Sequence, residues 1–273
     1  MKTYGFIAAL VLATTLHAQT SQPAILNDVG IDQKLGVQVP ADLTFIDDTG
    51  KTVRLGDYFG KRPIILSLVY YECPMLCTMS LNDLTRAMAA MPLNIGEDFE
   101  VVTISFDPRE KTDLAAKKKF HYVRQYHKPQ ANEAWHYLTG DETNIRKLTA
   151  TVGFRYAWDP KYNQYAHAAG FIVLTPEGKT ARYFYGVDYS SKDMRLALVE
   201  ASEGKISRPV EQILLYCFHY DPSTGKYSLA ILRLLRVAGM ITVVAIASFI
   251  AINIRRERKA RAHQLQPTPE AVP

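Results

Sequence analysis

Two thiols four residues apart, Cys73 and Cys77, end the run Ile64-Ile-Leu-Ser-Leu-Val-Tyr-Tyr-Glu-Cys-Pro-Met-Leu-Cys77. Thiolates attack disulfides and bind soft metals. The apolar residues before them read as a buried strand and those after them as a helix, so the pair occupies a strand-to-helix turn. Such turns lie at the carboxyl edge of a sheet, where α/β sites form. On a helix, positions i and i+4 share one face, and two sulfurs so placed reach one point. They can close on each other or share a metal. Pro74 suits the first helical position, which puts Cys73 at or beside the N-cap, where the helix dipole favours the thiolate.

Thiols alone leave metal binding and redox exchange both open, so the seven histidines matter. His17 lies near the N-terminus and His263 near the C-terminus, while His121 and His127 fall on a Lys-rich helix and read as solvated. His136 lies within a short strand and reads as packed or surface-exposed. His167 differs, standing just before the strand Gly170 to Leu174 in a loop that, in a thioredoxin-like sheet, faces the cysteine turn.

The elements that must position these residues follow from periodicity. Residues 43–55 alternate around the Asp47-Asp-Thr-Gly50 turn and predict a β-hairpin. Ile64 to Tyr70 predicts a strand buried on both faces, Cys77 to Met91 a helix, and Phe99 to Ser105 the next strand. Thr112 to Tyr126 reads as a helix, Trp135 to Leu138 as a short strand and Asn144 to Val152 as a helix. Gly170 to Leu174 and Ala181 to Tyr185 flank Thr175-Pro-Glu-Gly178 as a second hairpin. Ser190-x-x-Asp193 opens a last core helix with a capping box. This order, with paired cysteines after the first central strand, predicts an α/β thioredoxin-like fold: a central mixed sheet flanked by helices, with an N-terminal β-hairpin extension and a C-terminal transmembrane helix.

Residues 1–18 have one lysine, a short apolar stretch and a small-residue end at Ala18, the pattern of a secretory signal peptide. Val237 to Ile254 carries no charge and is long enough to cross a bilayer core of about 30 Å. Arg255, Arg256, Arg258, Lys259 and Arg261 follow it, which by the positive-inside rule makes the tail cytoplasmic and everything before the span extracytoplasmic. That cluster accounts for most of the formal net charge of +5, and nucleic-acid binding has no support. The expected organisation is a signal peptide (1–18), an irregular arm (19–39), a thioredoxin-like domain (40–203), a linker segment (204–232), a transmembrane helix (233–254) and a basic tail (255–273). The expected location is the inner, cytoplasmic membrane, with the globular domain on the periplasmic side.

Cys73-x-x-x-Cys77, the segment Ser105-Phe-Asp-Pro-Arg-Glu-Lys-Thr112, and His167 ahead of Phe171-Ile-Val-Leu-Thr-Pro-Glu-Gly178 resemble the Sco/SenC family in matching order. The resemblance spans roughly residues 40–203. It implies a membrane-tethered thioredoxin-like domain that binds copper, Cu(I) or Cu(II), through Cys73, Cys77 and His167. It also implies delivery of copper or reducing equivalents to the CuA-bearing subunit of cytochrome c oxidase. The chain departs from its relatives in Thr78 after the second cysteine, in Tyr71-Glu72 before the first, and in a C-terminal anchor.

The function expected from these features is an extracytoplasmic copper metallochaperone for CuA assembly. A thiol–disulfide oxidoreductase cycling between a Cys73–Cys77 disulfide and a dithiol is the alternative, and the same two sulfurs serve both. Other copper chaperones and thioredoxin-like reductases are the further partners expected. Three donors suit a transferable soft metal, whereas structural zinc wants four. Met75 and Met79 read as fillers of core gaps ahead of thioether ligands. Asp107 reads as a turn residue before Pro108 or as an outer support of the site. Cys217, with His219 two residues on, is an odd thiol outside the family core and reads as a half-buried cysteine ahead of a second metal contact.

Overall fold

The computed structural model describes residue 25, residues 28–128 and 130–207, residues 220–221 and 226–227, and residues 229–264. The chain divides into two units, residues 1–207 and 208–273. Residues 1–24, and with them the expected signal peptide and His17, lie outside the described residues, as do Cys217 and His219.

In the first unit, β1 (Gly30–Ile31) precedes a hairpin of β2 (Thr44–Asp47) and β3 (Thr52–Arg54). Then come β4 (Ile64–Val69), α1 (Leu76–Ala89), β5 (Glu100–Ser105), α2 (Thr112–Tyr126), the single turn α3 (Ala131–Ala134) and β6 (Trp135–Thr139). Helix α4 (Glu142–Val152) leads to β7 (Phe154–Asp159) and β8 (Gln164–His167), and β9 (Gly170–Leu174), β10 (Thr180–Tyr185) and α5 (Ser191–Ser202) complete the unit. Seven strands form one mixed sheet in the order β10-β9-β4-β5-β6-β2-β3, and β1, β7 and β8 form a second, three-stranded sheet.

Every residue of β4 is buried, as its uninterrupted apolar run requires of a strand covered on both faces. It pairs parallel with β5, which pairs parallel with β6, while β9 runs antiparallel to β4 with Ser67 opposite Phe171 and Ile64 opposite Leu174. Helix α1 packs between α2, which lies along β6, and α5, which lies along β9 and β10. Local signals fix the ends of these helices. Asp141 accepts the Asn144 N–H at 3.0 Å and opens α4, Gly153 closes it in the left-handed conformation, and Ser190 accepts the Asp193 N–H to open α5.

Among the described residues of the arm, 30–39 make regular backbone contacts with the domain. Gly30 and Ile31 pair with Arg155 and Phe154, Gln38 bridges to Lys179, and the Asp32 N–H donates to the Gly153 carbonyl at 2.8 Å. A two-residue strand has too few side chains to show an alternation, which is why periodicity misses it.

In the second unit, β11 (Tyr220–Asp221) pairs with β12 (Lys226–Tyr227), and the long helix α6 spans Leu229–Gln264. Its segment Arg236–Arg256, 21 residues with a mean hydropathy of 2.3, is long and apolar enough to cross a membrane. The helix extends beyond the expected 233–254 at both ends.

Candidate metal centre

The site is assembled by strand direction. Because β9 runs antiparallel to β4, the start of β9 lies beside the end of β4, where the chain turns toward the cysteines. His167 stands three residues ahead of β9, and Cys73 four residues beyond β4. The residues meet although 94 and 90 positions separate the histidine from the two cysteines.

Cys73 is not in the helix. A turn closed by the Cys73 N–H on the Tyr70 carbonyl, 3.2 Å, follows β4, and helix α1 begins at Leu76 with Met75 as its N-cap. The expectation that Pro74 opens the helix therefore gives way to a start two residues later. Met75 caps with φ −145° and offers no side-chain bond, so Sγ of Cys73 takes that place and accepts the Cys77 N–H at 3.3 Å. The sulfurs converge through this turn and not through the i, i+4 face of one helix. Sγ of Cys77 accepts the Tyr70 N–H at 3.4 Å.

Both cysteines are free thiols and both are buried, Cys73 at 7 % exposure. The Cys77 S–H hydrogen bond holds the Cys73 thiol down at about pKa 3, with backbone N–H groups of Cys77 and Met75 acting in the same sense. Burial pushes Cys77 well above the ordinary thiol value, and the Cys73 charge beside it adds to that. At neutral pH the pair is one thiolate and one thiol sharing a proton.

His167 is the last residue of β8, not part of a loop, and faces Tyr156 across the β7–β8 ladder. Phe154, Tyr156 and Trp158 alternate along β7 ahead of an Asp159-Pro160 turn, a hairpin signal that sequence reading passed over. The imidazole lies edge-on to Tyr70 and Phe106, with ring centroids 5.5 and 5.3 Å away. Nδ1 faces the Ala168 carbonyl at 2.9 Å. A carbonyl only accepts, so Nδ1 carries the proton in the neutral ring and Nε2 turns its lone pair to the sulfurs.

Nε2 lies 3.3 Å from Sγ of Cys77 and 3.8 Å from Sγ of Cys73, and the three donor atoms fall within 4.8 Å of one another. With metal bonds of about 2.3 Å to sulfur and 2.0 Å to nitrogen, donors arranged trigonally stand about 3.7 Å apart. The observed spacings lie near that value. Two sulfurs and an imidazole are a soft set suited to copper, and among the described residues this is the one group of three or more His, Cys, Asp and Glu donors placed to hold a metal.

The other candidates resolve differently. Met75 and Met79 are 66 % and 46 % exposed, so neither fills a core gap: both lie on the solvent side of the turn and of α1, whose inner side carries Cys77. Asp107 is buried but turned to Arg109, whose Nε and terminal nitrogens approach its two carboxylate oxygens at 2.8 and 2.7 Å. Arg109 in turn covers the Trp158 ring at 4.4 Å. His136 packs on Tyr58 and bonds Glu100 at 3.2 Å, while His121 and His127 are exposed, as expected. Sequence reading missed Glu110, whose carboxylate accepts the backbone N–H groups of Tyr71 and Glu72 at 2.7 Å each. No periodicity marks such a residue, because its role lies in a contact 38 to 39 positions away.

No curated protein is significantly similar to the chain. Among solved structures, a protein from Aquifex aeolicus VF5 is 28 % identical with a TM-score of 0.55, the match covering 63 % of this chain and 96 % of that one. A SCO1/SenC family lipoprotein from Bacillus anthracis str. Ames is 17 % identical with a TM-score of 0.51, covering 63 % and 99 %. ScoI of Arabidopsis thaliana, solved with copper bound, is 23 % identical with a TM-score of 0.49, covering 61 % and 99 %. The SCO1/SenC family model matches residues 32–201, a stretch that holds both cysteines, the histidine and the whole seven-stranded sheet. A match over that much of a 273-residue chain makes it a member of the SCO1/SenC family.

Proposed function

We propose that this chain is a membrane-anchored copper metallochaperone that holds copper as cargo on Cys73, Cys77 and His167 and passes it to the CuA-bearing subunit of cytochrome c oxidase. The convergence of three soft or borderline donors from two distant segments carries the reading. The thiolate at Cys73 supplies a ligand already deprotonated, and the proton on Cys77 leaves when the metal enters. His167 contributes a lone pair fixed by the Ala168 carbonyl. Three ligands leave an open side through which an acceptor's ligands displace these one at a time. The apolar helix and the basic residues after it support an extracytoplasmic site on an anchored protein, in the inner membrane and facing the periplasm.

Anaerobic titration of the reduced full chain in detergent with Cu(I) tests the reading. One equivalent is expected, lost in Cys73→Ser, strongly weakened in His167→Ala and retained in Cys217→Ser. Full retention in Cys73→Ser overturns it, and a second equivalent lost in Cys217→Ser places another site outside the described residues.

A second reading, thiol–disulfide exchange on an exported target, is favoured by two sulfurs within 4.8 Å of each other and the low value of Cys73. His167→Ala separates the two, because it removes a metal ligand and leaves both sulfurs.

A further inference from the structure

The turn that presents Cys73 is held from below by one buried carboxylate. Residues Tyr70 to Cys73 form a single turn, closed by the Cys73 N–H on the Tyr70 carbonyl. The N–H groups of its two central residues both point to Glu110: that of Tyr71 donates to Oε2 and that of Glu72 to Oε1, each at 2.7 Å. The Ser105 hydroxyl donates to Oε2 as well. Donors on both oxygens favour the ionised carboxylate, against the burial that raises its pKa. Glu110 is 6 % exposed, and among the described residues no lysine or arginine forms an ion pair with it, the neighbouring Arg109 being engaged by Asp107. The contact reaches the turn from the loop after β5.

We propose that Glu110 is a positioning residue of the copper centre: it fixes the Tyr70–Cys73 turn so that Cys73 meets Cys77 and His167, and it supplies a buried negative charge beneath a cationic cargo. The proposal rests on the copper reading for its second half and on the thiol geometry alone for its first. A buried charge outside any ion pair acts over several ångströms with little screening, and it favours Cu(II) over Cu(I) by the difference of one unit of charge. Glu72 and Asp107 are the other carboxylates near the turn, but Glu72 is exposed and Asp107 is neutralised by Arg109.

The test uses the full chain in detergent and the variants Glu110→Gln, Glu110→Asp and Glu110→Ala, with folding checked by urea unfolding. The first measurement contains no copper. In it glutathione disulfide oxidises the reduced protein: one cysteine thiolate attacks it and releases one glutathione, and the other cysteine displaces the second. The protein loses two electrons and two protons, and two glutathiones form. Ring closure from the mixed disulfide is expected to slow about tenfold in Glu110→Ala, as the turn loses both anchors. The second measurement is the affinity for Cu(I) and Cu(II) separately. In Glu110→Gln the affinity for Cu(II) is expected to fall about tenfold further than that for Cu(I), and Glu110→Asp, which keeps the charge, is expected to keep the wild-type ratio.

Wild-type closure rates in the Ala and Gln variants overturn the positioning role whether or not copper binds. An equal loss of Cu(I) and Cu(II) in Glu110→Gln overturns the charge role, since a scaffold residue would weaken both alike. Failure of the wild-type chain to bind copper refutes the metallochaperone reading and leaves the closure rates to decide this one. If Glu110→Ala does not fold, the near-isosteric Gln variant carries both measurements.

Discussion

Nε2 of His167 lies 3.3 Å from Sγ of Cys77, closer than to Sγ of Cys73 at 3.8 Å, and its Nδ1 is bound to the Ala168 carbonyl. The ring is therefore oriented before any metal arrives, and only its lone pair faces the sulfurs. Replacing His167 with Ala is expected to lower Cu(I) affinity by at least about 100-fold, more than the loss of an outer support. Competition with a Cu(I) chelator measures it. The rate at which glutathione disulfide closes the cysteine pair should stay within a few-fold of wild type, and a parallel collapse of both would show that the histidine holds the turn itself.

The two thiols titrate apart. Cys73 lies at about pKa 3, far below the ordinary 9.0, and Cys77 well above it. For Cys73 the folded value is depressed, so its contribution to stability is complete above pH 9 and is lost as pH falls toward 3. For Cys77 the folded value is raised, so its contribution is complete below pH 9 and is lost as pH rises through the folded value. Thiolate ultraviolet absorbance of the reduced, metal-free protein should show one thiolate across the neutral range. Cys77→Ala removes the S–H donor, and the remaining thiolate should then protonate at a higher pH; an unmoved titration would contradict the shared proton.

Gly170 stands at the start of β9, between His167 and the sheet. A Cβ there would lie 2.3 Å from the Phe184 carbonyl oxygen and 2.9 Å from Cδ1 of Ile31. The contact with backbone cannot be relieved by a rotamer change, so Gly170→Ala must shift β9 against β10 or against the arm. A destabilisation of about 1 to 3 kcal/mol by urea unfolding is expected. Because His167 stands three residues ahead of β9, copper affinity should fall too, and a stable variant with wild-type affinity would show that the short link from His167 to β9 is slack.

Tyr71 anchors the turn from its side chain as Glu110 does from the backbone. Its hydroxyl donates to the Leu138 carbonyl at 2.8 Å, deep in the sheet, with the Thr103 carbonyl 3.1 Å away. Tyr71→Phe leaves these buried carbonyls without that donor and is expected to cost about 1 to 2 kcal/mol. Denaturant unfolding measures the cost; no change would mean that the carbonyls find other donors.

The sequence by itself determined the α/β class, the buried strand before the cysteines, both flanking hairpins, and four helices, with α2 matched at both ends, because each is written in a local period or cap. The resemblance to the Sco/SenC family pointed to Cys73, Cys77 and His167 as a set, and these three side chains meet in the structure. Only the tertiary structure decided that Cys73 precedes the helix, that His167 ends a strand, that Met75 and Met79 face solvent, and that Glu110 holds the turn. Those properties depend on which strand ends meet and which groups lose water together. Antiparallel pairing of β4 with β9 sets both, across about a hundred residues that no local pattern spans.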